Sequence, residues 1–285
     1  MASIKDLNRR ITSLKNMQKV MRAMNMIATI KLRKLFALQE PVRLFLASVE
    51  RISTAVVTAL GAETVSGDDT EEHAHLILFT ADKGLCGPHN NTATRAAETW
   101  LRGMSDRGAR IDVSCIGLKG AGFCRRQGCE VTYQSEISER MLDSDALREL
   151  ARAAARRYLQ GSVQVVAAVY NEYESTLHQE TRTVQLLPLG EAESEGMREA
   201  TFAVEPAAAD LAVAAAELVL FYRLQAALIH SCLSEQAARM TAMENATRNS
   251  EDLIGQYALV RNRVRQASIT REIIEVVSGK EALRG

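Results

Sequence analysis

The sequence predicts an α/β domain inserted between two long helices, one at each end of the chain, that pair as an antiparallel coiled coil. The first observation is that residues 1–40 contain neither glycine nor proline, and the same holds for residues 207–254. The second is that the segment between these ends alternates short apolar runs with helical stretches. A helical pattern longer than about 25 residues indicates a coiled coil, and alternating strands and helices indicate an α/β sheet of Rossmann-like type.

These patterns divide the chain into four parts. We expect an N-terminal coiled-coil helix over residues 1–60 and a C-terminal coiled-coil helix over residues 207–285. The α/β domain is expected over residues 75–189. Residues 190–206, which are rich in glutamate, are expected to form an acidic linker.

The N-terminal helix has a heptad register that begins with Ile4 at position a. All d positions are apolar, and an unbroken apolar series of this length predicts a helix seam; they are Leu7, Leu14, Met21, Ala28, Leu35, Val42, Val49 and Val56. The a positions include polar residues, which indicate that stability is given up for a defined register; they are Gln18, Asn25, Gln39 and Ser53. Pro41 is expected to bend this helix or to mark a joint in it. The C-terminal helix is longer and is expected to extend past its partner.

The middle of the chain predicts five strands and three helices. The strands are expected at residues 75–79, 111–117, 130–134, 163–173 and 181–189, with the last two forming a hairpin-like pair. The helices are expected from a cap at Asn90 or Asn91 through Leu101, within 118–128, and over 143–160.

The formal net charge of the whole chain is zero, so the overall charge does not indicate a class of binding partner. Residues 1–60 nevertheless carry eleven Lys and Arg against three Asp and Glu. This acid-poor start resembles a transit peptide, but its heptads continue far beyond any presequence. No apolar stretch of the length of a membrane span is expected.

The five cysteines are scattered, which favours a reducing compartment. Cys124 and Cys129 are the one close pair, and their spacing matches neither a zinc site nor a thioredoxin motif. They are interpreted as free thiols, with a redox switch as the alternative.

A nucleotide or catalytic site is not indicated. Gly84 and Gly87 follow the first strand but fit neither the dinucleotide fingerprint nor the P-loop pattern. A phosphate cradle therefore rests on fold analogy alone. Since no catalytic constellation is found, we expect no catalytic residue, no cofactor and no metal.

Three stretches of the chain resemble the gamma subunit of F-type ATP synthases, the rotating central stalk. They are ASIKDLNRRITSLKNMQKVMRAMNMIATIKLRK (2–34), ADKGLCG (81–87), and SEQAARMTAMENATRNSEDLI (234–254) followed by RQASITREIIEVVSGKEAL (265–283). The chain departs from the family pattern at Pro88 and His89, and again over residues 261–264, which indicates a divergent member.

The resemblance implies a non-catalytic rotor that couples ion translocation through the membrane sector to ATP synthesis or hydrolysis in the head. The implied partners are the alpha and beta subunits, the epsilon subunit and the c-ring of the membrane sector, without nucleic acid and without direct membrane insertion. The implied location is the cytoplasmic side of the bacterial inner membrane, as a peripheral protein. The coupling ion, proton or sodium, is not specified.

The resemblance also implies residues that contact the beta subunit, which are Lys15, Lys19, Arg22, Lys83, Cys86, Arg261, Arg265, Gln266 and Thr270. Two basic helix faces on one helix pair repel each other, so an acidic partner outside the chain is expected. The alternative function is a coiled-coil scaffold that presents an α/β module binding a nucleotide or nucleic acid. It lacks a phosphate motif and interleaved basic and aromatic residues.

Overall fold

The computed structural model describes residues 3–59, 72–137, 145–188 and 208–282. The predicted acidic linker at 190–206 lies outside these ranges, and so do the side chains of the heptad positions after Val49.

Five helices and five strands form the described part of the chain. The helices are α1 (Ile4–Ala59), α2 (His89–Ser105), α3 (Leu118–Arg126), α4 (Asp145–Leu159) and α5 (Ala208–Ala282). The strands are β1 (His73–Phe79), β2 (Arg110–Ile116), β3 (Glu130–Ser135), β4 (Val165–Tyr173) and β5 (Gln179–Leu187). The predicted fold class is confirmed, and β4 and β5 form the predicted antiparallel pair.

The heptad register of α1 is confirmed over the side chains that the structure describes. Every a and d position from Ile4 to Val49 is buried or half-buried, while most of the remaining positions are exposed. The helix continues without a break through Pro41, so the prediction that Pro41 marks a joint between two helices is wrong. Pro41 is exposed, and the apolar positions on either side keep the seam buried.

Internal contacts divide the chain into two compact units. One unit consists of Met1–Ile27 and Met240–Gly285, and we call it the helical pair. The other consists of Ala28–Arg239, and we call it the α/β unit.

The two helices of the helical pair are antiparallel, as predicted. Contacts that join them run in opposite order along the two segments: Asn25 with Met240, Met21 with Ser250, Gln18 with Glu251, Arg10 with Tyr257, and Asn8 with Arg261. Every residue from Ile269 to Lys280 is exposed, which agrees with a C-terminal helix longer than its partner.

The α/β unit is built on one five-stranded sheet with the strand order β3-β2-β1-β4-β5. The first four strands are parallel and β5 is antiparallel to β4. In the sheet β1 lies between β2 and β4. Strands β2 and β3 extend the sheet on one side of β1, and β4 and β5 extend it on the other, so the strand order reverses between β1 and β4. In open α/β sheets such a reversal opens a crevice at the carboxyl ends of the strands.

Helices cover both faces of this sheet. The apolar residues of α2 and α3, with Leu76, Leu78 and Val113 of the sheet, form one core layer. The other layer joins Ile77 and Phe79 to α4 and to the parts of α1 and α5 that belong to this unit. Because β1 is buried on both faces, its residues form a continuous apolar run, as parallel strands usually do.

The start of α3 is packed tightly against the end of β1. Gly117 has a φ of 110°, and a Cβ at this position would lie 2.0 Å from the carbonyl oxygen of Thr80. The Thr80 hydroxyl accepts a hydrogen bond from the Gly120 N–H at 2.8 Å. The segment after β1 is therefore fixed against the first turn of α3.

Within the described residues, one helix, over Val213–Lys280, contains a window long and apolar enough to cross a membrane, contrary to the expectation from sequence. Of that window, 56% is buried inside the protein. Packing in a protein core therefore explains the apolar composition of the window as well as a membrane span would. By length and composition alone this is weak evidence for a membrane span.

Candidate partner-contact site

The predicted basic face of α1 is exposed in part, and one of its members is paired within the chain. Lys15 and Lys19 are exposed. Nη2 of Arg22 lies 2.5 Å from Oε1 of Glu251, and Gln18 donates to the same oxygen at 2.8 Å. The prediction that this face needs an acidic partner from outside the chain is therefore wrong for Arg22. Both side chains of the pair are more than half exposed, so it contributes about 0–1 kcal/mol to stability.

The predicted contacts on α5 differ in exposure. Arg261 is half-buried, with Nη1 3.5 Å from Oδ1 of Asn8. Arg265 and Gln266 are exposed, and so is Thr270, whose hydroxyl donates to the Gln266 carbonyl at 2.9 Å. Among the residues that the structure describes, nothing forms an ion pair or hydrogen bond with the Arg265 guanidinium. Arg265 is thus the basic residue of this set most available to a partner.

The loop between β1 and α2 presents Lys83 but not Cys86. Lys83 is exposed, whereas Cys86 is 1% exposed, with its Sγ 3.7 Å from the Lys83 carbonyl oxygen. Burial raises the pKa of the Cys86 thiol, so this side chain is kept neutral. A direct side-chain contact of Cys86 with a partner does not fit this geometry, and we correct its role to that of a residue that holds the loop.

Asn90 does not cap α2, which corrects the expectation from sequence. It lies inside the helix, and Pro88 occupies the cap position. Its Oδ1 accepts the Ala81 N–H at 2.8 Å, and its Nδ2 donates to the Lys83 carbonyl at 3.4 Å. Asn90 therefore braces the loop from within, because its side chain satisfies loop groups on both sides of Asp82.

Asp82 fixes the other side of the same loop. Its carboxylate accepts the Leu118 N–H at 3.0 Å, at the start of α3, and the Ile137 N–H at 3.1 Å. A carboxylate at a helix start is favoured by the unpaired N–H groups there. The loop is consequently held by backbone groups from two other segments.

Leu85 is a candidate contact residue that sequence reasoning missed. Its φ is 62°, and it is the one non-glycine residue with positive φ among the described residues. Its side chain is 61% exposed. A non-glycine residue in this conformation costs about 1–2 kcal/mol, and such strain is concentrated at functional sites. The flanking Gly84 and Gly87 were the signal in the sequence.

The crevice at the reversal of strand order is filled by the protein itself. Asn171 of β4 donates to the His89 carbonyl at 2.8 Å and accepts from the Thr181 hydroxyl at 2.6 Å. Ser234 of α5 donates to the Asn171 carbonyl at 2.9 Å. All of these groups except Thr181 are buried. This position, where related folds bind nucleotides, is occupied by a hydrogen-bonded network, which weighs against the alternative of a nucleotide-binding module.

A buried ion pair lies on α5 within the α/β unit. Nη2 of Arg239 is 2.6 Å from Oε1 of Glu235, and the two side chains are 12% and 10% exposed. Burial raises the pKa of Glu235, and the guanidinium opposes this effect. Loss of either partner leaves an uncompensated buried charge, which costs about 3–5 kcal/mol.

Comparison with known proteins identifies the class to which this fold belongs. The family model described as ATP synthase matches residues 3–283. A protein named ATP synthase gamma chain from Methylobacterium sp. (strain 4-46) is 33% identical, with 99% of this chain and 100% of the relative covered. The protein of the same name from Moorella thermoacetica is 34% identical, with both chains fully covered.

Solved structures agree with the fold. A chain from the Tetrahymena thermophila mitochondrial ATP synthase central stalk and c-ring has a TM-score of 0.59 at 23% identity, covering 80% of this chain and 99% of that one. A chain from the Euglena gracilis mitochondrial ATP synthase, with OSCP, F1 and c-ring, has a TM-score of 0.64 at 16% identity, covering 98% and 94%.

The chain combines an antiparallel helical pair with a doubly wound α/β unit, and the family model matches it over nearly its whole length. These observations define a subunit of the ATP synthase class. Within that class the chain belongs to the ATP synthase gamma chain family.

Proposed function

We propose that this chain is the central-stalk rotor of an F-type ATP synthase and couples ion translocation through the membrane sector to ATP synthesis or hydrolysis in the head. The observation that carries the proposal is the family match over residues 3–283 on a chain whose two ends form an antiparallel helical pair. A rotor must transmit torque, and a helix pair with a regular apolar seam is stiff. The chain itself performs no chemistry in this proposal.

In this role residues 1–60 and 207–285 form the shaft, residues 75–189 the α/β domain, and residues 190–206 an acidic linker. The partners are the alpha and beta subunits of the head, the epsilon subunit and the c-ring. The complex places the chain at the cytoplasmic side of a bacterial inner membrane as a peripheral protein. The gamma chains from Methylobacterium sp. (strain 4-46) and Moorella thermoacetica are bacterial, which supports this location.

Contact with the beta subunit is assigned to groups on three elements. They are Lys15, Lys19 and Arg22 on α1, Lys83 in the loop after β1, and Arg261, Arg265, Gln266 and Thr270 on α5. Arg265 ranks above Arg22 and Arg261, because it is exposed and unpaired in the described residues, whereas Arg22 already has Glu251 and Arg261 is half-buried beside Asn8. A hydrogen bond to a charged group contributes about 1.5–3 kcal/mol. If it forms at one rotor angle only, its loss changes a rate by roughly tenfold for each 1.4 kcal/mol.

The assembly itself is tested by purification. A tagged copy of the chain, expressed in cells that lack their own gamma chain, should co-purify with alpha, beta and epsilon subunits in a stable complex. Recovery of the folded chain without any of these subunits would contradict the rotor assignment.

The contact ranking is tested by ATP hydrolysis and ion pumping of reconstituted complexes. The double variant Arg265→Ala with Gln266→Ala should assemble normally and turn over more slowly. The matched control is Arg263→Ala, because Arg263 is also an exposed cation on the same helix. Lys19→Ala should have a smaller effect, since an exposed charge pair contributes about 0–1 kcal/mol. A double variant that matches the parent, or a Lys19 variant that loses more activity than the double variant, would overturn the ranking.

A further inference from the structure

Two buried cysteines of the α/β unit touch each other through their sulfur atoms. Cys115 lies in β2 and Cys124 in α3, and their Sγ atoms are 3.8 Å apart. Both belong to the same core layer, and neither side chain is exposed. A third thiol, Cys129, follows α3 and is half-buried, with its N–H donating to the Cys124 carbonyl at 3.0 Å. Besides Cys129, its neighbour in the sequence, Cys124 thus has Cys115 as a partner in sulfur contact.

The environment makes the two touching thiols chemically unequal. The S–H of Cys115 donates toward the Cys124 sulfur, and this hydrogen bond lowers the pKa of Cys124. The same bond, together with burial, raises the pKa of Cys115. Thiolate is the nucleophilic form of cysteine, so Cys124 is the attacking sulfur and Cys115 the one that stays protonated.

We propose that Cys115 and Cys124 are an oxidisable dithiol that hydrogen peroxide converts into a disulfide tying α3 to β2. The Cys124 sulfur attacks one peroxide oxygen, the O–O bond breaks, and one water leaves, which gives a sulfenic acid on Cys124. The Cys115 sulfur then attacks the Cys124 sulfur, the S–O bond breaks, and the second water carries away the Cys115 proton. Peroxide gains two electrons and the two thiols lose them.

The geometry favours this pairing over the one with Cys129. The Cys115 and Cys124 sulfurs are already in contact at 3.8 Å. Disulfide sulfurs are about 2.0 Å apart, so a small local shift completes the bond. Peroxide reaches Cys124 when the last turn of α3 opens. That turn carries the exposed Arg125 and Arg126, and a nine-residue helix opens at its end at low free energy.

The disulfide would act on the loop after β1 through the other end of α3. The first turn of this helix donates three hydrogen bonds to that loop segment: Leu118 N–H to Asp82, Lys119 N–H to the Ala81 carbonyl, and Gly120 N–H to Thr80. A covalent link at Cys124 restrains the helix that supports Lys83 and Leu85. The formation of the disulfide does not depend on the proposed rotor function.

The test is peptide mapping of the folded full chain after treatment with hydrogen peroxide, without reductant. The expected result is a peptide pair linked through Cys115 and Cys124, which disappears on treatment with dithiothreitol. Cys232→Ala is the matched control, because Cys232 is also buried but belongs to the other core layer, and the linked pair should form in it as in the parent. In Cys115→Ala the linked pair should be lost, and dimedone should capture sulfenic acid at Cys124.

Each remaining outcome overturns the proposal. These outcomes are persistent free thiols at both positions, a disulfide between Cys124 and Cys129 as the final product, or a link between two chains. Circular dichroism of Cys115→Ala and Cys124→Ala distinguishes loss of the disulfide link from loss of the folded structure. If both variants unfold, mapping of the parent chain alone still decides between the disulfide and free thiols.

Discussion

Asn171 and His89 are joined by two contacts where the strand order reverses: the Asn171 Nδ2 group lies 2.8 Å from the His89 carbonyl oxygen and 3.0 Å from its Nδ1. Since Nδ2 is a donor, Nδ1 accepts, and the imidazole proton lies on Nε2. That Nε2 is buried without a hydrogen-bond partner among the described residues. Burial, reinforced by the charge of Arg239, lowers the pKa of His89 to about 3.

This arrangement predicts that acid weakens the fold. The unfolded chain binds a proton at His89 below the ordinary histidine pKa of 6.5, whereas the folded chain does not until about pH 3. The free energy of unfolding should therefore fall as the pH falls through 6.5, by up to about 1.4 kcal/mol per pH unit for each such histidine. His75, whose pKa burial lowers to about 4, adds to the loss. Urea unfolding between pH 7 and pH 5 measures the slope.

The control for this pH dependence is His178→Gln, because His178 is exposed. The slope should stay unchanged in that variant and become shallower in His89→Gln. An equal slope in the parent and in His89→Gln would show that His89 is not kept neutral by the fold.

Gly117→Ala should be among the most destabilising single changes in the chain. The new Cβ would lie 2.0 Å from the Thr80 carbonyl oxygen, and the φ of 110° is strained for alanine. We expect the free energy of unfolding to fall by more than about 4 kcal/mol, which is exceptional for a single substitution. Gly108→Ala is the control, since Gly108 also has a positive φ but nothing lies within 4 Å of its Cβ position. It should lose about 1–2 kcal/mol in thermal or urea unfolding.

Leu85→Asn should have opposite effects on the isolated chain and on the complex. Asparagine tolerates positive φ better than leucine, so the free energy of unfolding should rise by about 1 kcal/mol. Removal of the exposed leucine should slow ATP turnover in the reconstituted enzyme. The control is Leu177→Asn, because Leu177 is 84% exposed and has no positive φ. Unchanged stability in Leu85→Asn would argue against stored strain in this loop.

Asn25→Val should stabilise the helical pair. Asn25 occupies an a position in the seam and is half-buried, and its Nδ2 donates to the Met240 carbonyl at 3.1 Å. Polar a residues reduce stability in exchange for register, and partial burial of valine contributes about 1 kcal/mol. The melting temperature should rise, while Asn16→Val, at an exposed position of the same helix, should leave it unchanged. A lower melting temperature in Asn25→Val would mean that the asparagine is needed for stability itself.

The parts of the fold that were predicted correctly are those set by a repeated local pattern. Apolar residues recur through α1 at heptad spacing, so the face of the helix that is buried could be predicted from this spacing alone. The strand at His73–Phe79 is an apolar run between polar segments, and its burial on both faces followed from that composition.

The details of the contact site depend on contacts between residues that are not neighbours in the sequence. Rules based on local sequence patterns could not predict these contacts. Asn90 fits the local pattern of a helix cap, but its amide bonds to Ala81 and Lys83 instead. Cys86 matches a family motif, yet the loop turns its thiol inward. A Glu and an Arg four residues apart are typical of an exposed helix face, and only packing of α5 in the α/β unit buries Glu235 and Arg239.

The core layer that joins α1, the sheet and α5 has a consequence for synthesis on the ribosome. Leu32 and Leu35 near one end of the chain share this layer with Leu224, Leu228 and Leu233 near the other. The chain emerges from its N-terminus, so one face of the completed sheet stays only partly covered, by α1 and α4, until α5 has been made. Because such distant contacts form slowly and uncovered apolar surface aggregates, the nascent chain needs protection in that interval. Stop codons shortly before α5 should therefore yield insoluble product rather than a smaller folded domain.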